Sequence, residues 1–258
     1  MIVTTTDKPT EATSRKAIEL AAELEGRYVV RSGRTINAIV AKERDDEILI
    51  VGPRDIRLLQ EGIPPFFYHP SMALVRLKRL LTGGNDTLLD VSGVSEGDEV
   101  VDCTAGLCAD ALVFSYAAGP AGRVVALEAS PVVHALVREG LRAYESGIAQ
   151  VDAAMRTIDT RRGPYQELLP AMPDKSADVV YFDPMFERAV RSSSGLEPLR
   201  ARARHDALDP ETVRHATRIA RKKVVLKDHR ASGQFERLGF RPARLSASSV
   251  AYGVIDVD

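Results

Sequence analysis

Asp183-Pro184-Met185-Phe186 directly follows the apolar run Ala177-Asp178-Val179-Val180-Tyr181-Phe182, and its residue types can hold a planar exocyclic amine. The lone pair of such an amine, on adenine or guanine, is delocalised into the ring, so a site that uses it as a nucleophile must localise that pair. A carboxylate and a backbone carbonyl accept the two N–H groups, an aromatic ring fixes the base plane, and the lone pair turns toward an electrophilic methyl group. Asp183, the Pro184 carbonyl and Phe186 supply those parts, and proline stiffens the turn. The same dipeptide also serves as a plain strand-ending turn, so the chemistry needs partners elsewhere in the chain.

Two segments offer them. Glu99-Val100-Val101-Asp102-Cys103-Thr104-Ala105-Gly106-Leu107-Cys108-Ala109-Asp110 reads as a short apolar strand, a turn of small residues and the start of a helix that continues over 111–118. That arrangement opens the nucleotide crevice of an open α/β sheet. Only Gly106 is present where a dinucleotide fingerprint has several glycines, which argues against NAD. S-adenosylmethionine has no pyrophosphate to cradle and needs only close backbone approach, for which Thr104-Ala105-Gly106 is small enough. A second strand, 123–127, ends in Glu128. An acid there can take both ribose hydroxyls of an adenosine, each charge-assisted bond being worth ~1.5–3 kcal/mol; it can also cap the helix that begins near Pro131.

With these residues in order, the chain resembles a family. The runs Val101-Asp102-Cys103-Thr104-Ala105-Gly106-Leu107, Leu127-Glu128-Ala129-Ser130-Pro131, Tyr181-Phe182-Asp183-Pro184-Met185-Phe186 and Val224-Val225-Leu226-Lys227 are similar to the RsmJ-like class I methyltransferases, which methylate the N2 amine of a guanine in bacterial small-subunit ribosomal RNA. The resemblance covers about residues 66–245, and Phe67-Tyr68-His69-Pro70-Ser71-Met72-Ala73 belongs to it. It implies S-adenosyl-L-methionine as cofactor, held by Asp102, Thr104, Ala105, Gly106, Ala109, Asp110, Glu128, Ala129, Tyr165 and Asp183. It implies amine chemistry at Asp183, Pro184, Met185 and Phe186, and ribosomal RNA as partner. Two departures stand out. Cys108-Ala109-Asp110 replaces the commoner Gly-Arg-Asp, leaving Asp110 as the retained cofactor contact. Gly163-Pro164-Tyr165 replaces an adenine-contacting polar residue, which makes Tyr165 the candidate stacking partner.

Periodicity places these motifs on an α/β framework. Strands are expected near 99–103, 123–128, 155–159, 178–183 and 222–227, with helices near 108–118, 131–146 and 210–220, giving a Rossmann-like doubly wound sheet. Residues 241–246 and 249–257 read as an antiparallel C-terminal hairpin. Ahead of this methyltransferase domain, 66–258, stands a small α+β N-terminal extension, 1–65. It has a helix over 13–25, strands at 28–30, 36–40 and 48–51, and a close at Gly62-Ile63-Pro64-Pro65. Met72, Leu74, Val75, Leu77, Leu80 and Leu81 then mark a helix stopped by Gly83-Gly84. A chain of 258 residues can bury a full core. Neither a membrane-length apolar run nor a signal-peptide pattern is present, so a cytoplasmic protein is expected. Cys103 and Cys108 are the only cysteines, and no histidine has a partner at metal-ligand spacing, so no metal is expected.

The formal charge of −1 excludes a protein that grips nucleic acid over its whole surface. The charge is uneven, however. Residues 191–230 hold eleven Lys or Arg against five Asp or Glu, an excess of +6 that leaves −7 for the rest of the chain. Arg200, Arg202 and Arg204 are the candidates for a phosphate-contacting rim that positions RNA without reading its sequence, and Lys227, at the end of a central strand, is a candidate substrate contact or else the structural partner of a neighbouring acid. A solvated helix face is the other use of such a charge run. Two other functions fit the same residues: methylation of a protein amide or small-molecule amine, and a non-catalytic RNA-binding module that retains the cofactor. Replacing Arg200, Arg202 and Arg204 together by Ala is expected to weaken RNA binding and lower the salt-dependence slope by roughly 0.7–0.9 per lost phosphate contact. Filter binding across a salt series checks this, and a wild-type slope would return the stretch to a solvated face.

Overall fold

The computed structural model describes residues 1–184, 208–243 and 249–257. In chain order the elements begin with β1 (Ile2–Thr5), α1 (Glu11–Glu23), β2 (Arg27–Tyr28), α2 (Ile36–Glu43), β3 (Glu47–Val51), β4 (Ile56–Gln60) and β5 (Ile63–Phe67). There follow α3 (Ser71–Leu81), α4 (Thr87–Ser92), β6 (Glu99–Asp102), α5 (Ala109–Ala118), β7 (Arg123–Glu128), α6 (Pro131–Ala143), α7 (Ala149–Thr157), β8 (Ile158–Arg162) and α8 (Tyr165–Leu168). The last are β9 (Ala177–Phe182), α9 (Pro210–Ile219), β10 (Ala220–His229), α10 (Gln234–Arg237), β11 (Arg241–Pro242) and β12 (Val250–Asp256). They fall into two units. The first takes Met1–His69 together with Pro131–Tyr144; the second takes Pro70–Ser130 and the described residues beyond 144.

The first unit is a five-stranded sheet in the order β2-β1-β3-β4-β5. Strands β1, β2 and β3 are parallel, and β3-β4-β5 form an antiparallel meander. Residues 36–40, expected as a strand, form the start of α2 instead. Thr35 caps it by accepting the Ala38 N–H at 3.2 Å, and Ile36, Ile39 and Val40 share one helical face that packs on Ile2 and Ile48. The expected close at Pro64-Pro65 is the edge strand β5, where a proline that cannot donate to a ladder does least harm. Helix α6 joins this unit through Gly140, whose absent side chain lets Tyr68 lie against it; a Cβ there would stand 2.2 Å from the Tyr68 Cβ.

The second unit is an α/β, Rossmann-like sheet of seven strands in the order β11-β12-β10-β9-β6-β7-β8. Five strands, β6 to β10, run parallel, while β12 is antiparallel to both β10 and β11. Every residue of β9 is buried, as befits a central parallel strand covered on both faces. The one acid in that strand, Asp178, is paired with Arg221 at 2.6 Å and with the Glu99 N–H at 2.9 Å. Chain order reverses between β6 and β9, so the crevice of the switch point opens at the carboxyl ends of these strands.

Two expectations shift in detail. Residues 155–157, expected as strand, complete α7, because Val151, Ala154 and Met155 are buried at helical spacing; the strand proper starts at Ile158. The described part of the C-terminal hairpin pairs Arg241 with Val254 and Pro242 with Gly253. Gly253 lies under two rings, since a Cβ there would be 2.5 Å from Phe235 Cδ1 and 2.8 Å from Phe240 Cβ. Gly253→Ala is therefore expected to lower stability by about 1–3 kcal/mol through overpacking, read as a lower midpoint in thermal or urea denaturation.

Candidate functional site

The loop from β6 to α5 is held by the strands on either side of it. Cys103 N–H donates to the Tyr181 carbonyl at 2.9 Å and Ala105 N–H to the Leu127 carbonyl at 3.0 Å. Asp102, the last residue of β6, turns its Oδ1 back to the Thr104 N–H at 3.0 Å. Glu128 joins three loops. Its Oε2 accepts from Gly106 N–H at 3.1 Å, its Oε1 from Ser130 N–H at 2.7 Å, and its carbonyl from Gly163 N–H at 2.9 Å. Cys108 adopts φ 56°, the left-handed conformation for which glycine is the usual choice. The residue that stands in place of the family's commoner glycine thus adopts a positive φ.

Asp183 follows β9 and faces this loop, its N–H donating to Thr104 Oγ1 at 2.6 Å. Its Oδ2 accepts from Lys227 Nζ at 2.6 Å, and the same ammonium donates to Asp110 Oδ2 at 3.0 Å. Tyr181 donates its hydroxyl to Asp110 Oδ2 at 2.7 Å, while Arg76, from α3, donates to Asp110 Oδ1. Arg76 is itself gripped by Asp86 at 2.7 and 2.8 Å. Among the described residues, the crevice therefore gathers Asp102, Asp110 and Asp183 against one lysine and one arginine.

Their ionisation follows from these neighbours. Burial alone would raise the Asp110 carboxyl, yet Lys227, Arg76 and the Tyr181 hydroxyl together hold it below the ordinary carboxylate range. Burial raises Asp183, and Asp110 adds to the rise while Lys227 opposes it. Asp102, buried and beside Asp110, is pushed up to about 8. Glu128 is raised by burial against the pull of its backbone donors. Burial would lower Lys227, but Asp110 and Asp183 more than reverse that, so it stays an ammonium.

The structure brings together Asp102, Thr104, Ala105, Gly106, Asp110, Glu128, Asp183 and Lys227, with Ala109 opening α5, Ala129 following Glu128, and Pro184 following Asp183. Tyr165 begins α8 and packs edge-to-face on Phe182, ring centroids 5.5 Å apart. It also lines a cleft of about 270 Å³ with Gln166, Leu169, Pro170, Thr212 and His215. Met185, Phe186, Arg200, Arg202 and Arg204 lie outside the described residues. Three side chains of this cluster escape a reading of the sequence. Arg76 is one of several basic residues on an amphipathic helix, and Tyr252 meets Lys227 only through the β10–β12 register. Tyr181 carries a signal, since a tyrosine inside an apolar central strand must find a partner for its hydroxyl.

Comparison with known proteins agrees with this architecture. A family described as putative SAM-dependent methyltransferase matches residues 54–237. Uncharacterized protein YpiP of Bacillus subtilis is 41% identical over 98% of this chain and 98% of its own length. Ribosomal RNA small subunit methyltransferase J of Shewanella amazonensis is 32% identical over 71% of this chain and 73% of its own. A SAM-dependent methyltransferase from Neisseria gonorrhoeae shares the fold, with a TM-score of 0.66 and 20% identity over 98% of this chain and 95% of that one. The hydrogen bond that ties the Asp183 turn to the β6–α5 loop can be tested by itself. Thr104→Val, which strands the Asp183 N–H, is expected to lower stability by about 1–2 kcal/mol and Thr104→Ser by less, measured by urea denaturation.

Proposed function

Because the chain belongs to the putative SAM-dependent methyltransferase family, we propose that it methylates a planar exocyclic amine, guanine N2 of small-subunit ribosomal RNA. The observation that carries this reading is the Asp183 carboxylate. It stands at the mouth of the switch-point crevice, still 26% exposed, and its backbone is tied to the loop that follows β6. The cofactor is S-adenosylmethionine, and the crevice has the chemistry to hold it. Glu128 spends one acceptor position on each oxygen and keeps others for ribose hydroxyls. Asp102 offers a buried carboxyl to an ammonium, and Gly106 presents backbone with no side chain. The sulfonium supplies an activated methyl and a good leaving group.

The protein's own part is alignment. Asp183 accepts one N–H of the amine and the Pro184 carbonyl accepts the other, which turns the nitrogen lone pair out of conjugation and toward the methyl. As the nitrogen–carbon bond forms the nitrogen becomes acidic, and its proton passes to Asp183 directly or through water. A strong base is unnecessary. Guanine inside a helix cannot present its amine in line, so the target base is unpaired or flipped out. Arg200, Arg202 and Arg204 would steady the RNA phosphates, and Ribosomal RNA small subunit methyltransferase J, the name of the Shewanella relative, supports RNA as the substrate. The formal charge of −1 supports the second reading, a protein amide or small-molecule amine. A cytoplasmic site of action fits either substrate, and no described helix is long and apolar enough to cross a membrane.

Incubation with labelled cofactor and hypomethylated ribosomal RNA, followed by mapping of the label, is expected to place a methyl on a guanine N2. Label on protein or on small amines alone would select the second reading, and no label on any acceptor would select the non-catalytic module. Asp183→Ala is expected to leave cofactor affinity within a few-fold while lowering turnover at least about a hundredfold, because it removes an acceptor used mainly in the transition state. Asp183 must be ionised to accept, and its pKa is raised, so turnover should fall as pH drops through a value above the ordinary aspartate range. Normal turnover by Asp183→Ala would refute the assignment.

A further inference from the structure

Asp110 has little left to offer a cofactor. Its Oδ1 takes the Arg76 guanidinium, and its Oδ2 takes both the Tyr181 hydroxyl and the Lys227 ammonium. A carboxylate has about four acceptor positions, so three of them are filled by side chains of the same unit. We propose that Asp110 and Lys227 form a positioning relay for Asp183: Asp110 anchors the Lys227 ammonium, and Lys227 fixes the Asp183 carboxylate, ionised, with Oδ1 toward the amine. This rests on the reading of Asp183 as the amine acceptor.

The relay is a run of alternating charges, Asp86, Arg76, Asp110, Lys227 and Asp183. Side-chain exposure is 2% at Asp86, 19% at Arg76, 10% at Asp110, 21% at Lys227 and 26% at Asp183, lowest at the Asp86 end and highest at the Asp183 end. Its inner end is thus locked and its outer end opens to the crevice. The inner lock is strong because Asp86 grips Arg76 with both oxygens and also accepts the Leu88 N–H at the start of α4. At the outer end Lys227 occupies Oδ2, and among the described residues no donor meets Oδ1.

Charge gives the arrangement a second consequence. The groups around Asp183 are Asp110 on α5, Asp102 on β6, Tyr181 on β9, Asp228 and Lys227 on β10, and Tyr252 on β12, with Arg76 of α3 behind Asp110. Asp110, Asp102 and Asp228 are acids, and burial also favours the neutral form. Among the described residues, Lys227 is the cation in direct contact with Asp183. Without it Asp183 takes up a proton more readily, and a protonated carboxyl presents a hydroxyl donor where the amine needs an acceptor. A lysine that served only to brace β10 would leave that titration unmoved.

The test compares wild type with Lys227→Met, Lys227→Arg and Asp110→Asn, measuring cofactor affinity by calorimetry and methyl transfer to hypomethylated ribosomal RNA across pH. The relay requires Lys227→Met to keep cofactor affinity within about threefold, to lower kcat at least about a hundredfold, and to move the acid limb of the kcat profile upward by about one pH unit. Lys227→Arg, which keeps the charge, should recover most of the rate. Asp110→Asn, which frees the Lys227 ammonium and removes an acid that raises Asp183, should lower kcat at least about tenfold and move the limb downward, with cofactor affinity within about threefold. Weakened cofactor binding by Asp110→Asn with the limb in place would make Asp110 a cofactor contact and overturn the relay. If Lys227→Met does not fold, the Arg and Asn variants decide between the two. If wild type methylates no RNA, the substrate reading fails separately. The relay is then judged by the Asp183 carboxyl carbon in ¹³C NMR, whose titration must shift upward in Lys227→Met; an unshifted midpoint would refute it.

Discussion

The ammonium of Lys227, set between Asp110 and Asp183, is the interaction on which the site depends. Three carboxylates, Asp102, Asp110 and Asp183, converge at one end of the sheet, where withdrawal from water penalises each of them. Lys227 and Arg76 bring two positive charges against them, while burial first, and then the neighbouring Asp110 and Asp183, push Asp102 up to about 8. The crevice therefore holds more acid than base at the carboxyl ends of the parallel strands. The same crowding of acids sets Asp183 against the Lys227 ammonium at 2.6 Å.

Each member of that cluster comes from a different element, and the sheet order brings them together. Asp102 ends β6, Asp183 follows β9 and Lys227 lies near the end of β10, three adjacent parallel strands. Asp110 sits in the first turn of α5, where a negative charge is favoured. Glu128, on the other side of β6, stitches the loops after β6, β7 and β8 through backbone N–H groups. Two kinds of bonding thus share the work. Backbone bonds to Glu128 and Thr104 set the loops, and side-chain ion pairs set the Asp183 carboxylate.

Local pattern misled where two readings share the same residues. Ile36 to Val40 carries β-branched residues that suit a strand, yet the Thr35 cap and the spacing of Ile36, Ile39 and Val40 also suit a helix. Packing against Ile2 and Ile48 chose the helix. Pro64-Pro65 read as a terminator, but an edge position tolerates prolines because its outward N–H groups have no strand to bond. Residues 155–157 went to α7 because Met155 is buried one helical turn beyond Val151.

Strands β6, β7, β9 and β10, the small-residue turn at Thr104-Ala105-Gly106, the acid at Glu128 and the Asp183-Pro184 corner were legible in the sequence. Each is written in a few neighbouring residues, whose spacing and backbone preferences dictate local form. The partners of Asp110 and Asp183 were not legible in the same way. Lys227 lies 44 residues from Asp183 and 117 from Asp110, and Arg76 lies 34 from Asp110, so no local period connects them. Which of the many acids and bases meet was decided by the order of the strands and by burial, which forces charges withdrawn from water to find opposite charges within reach.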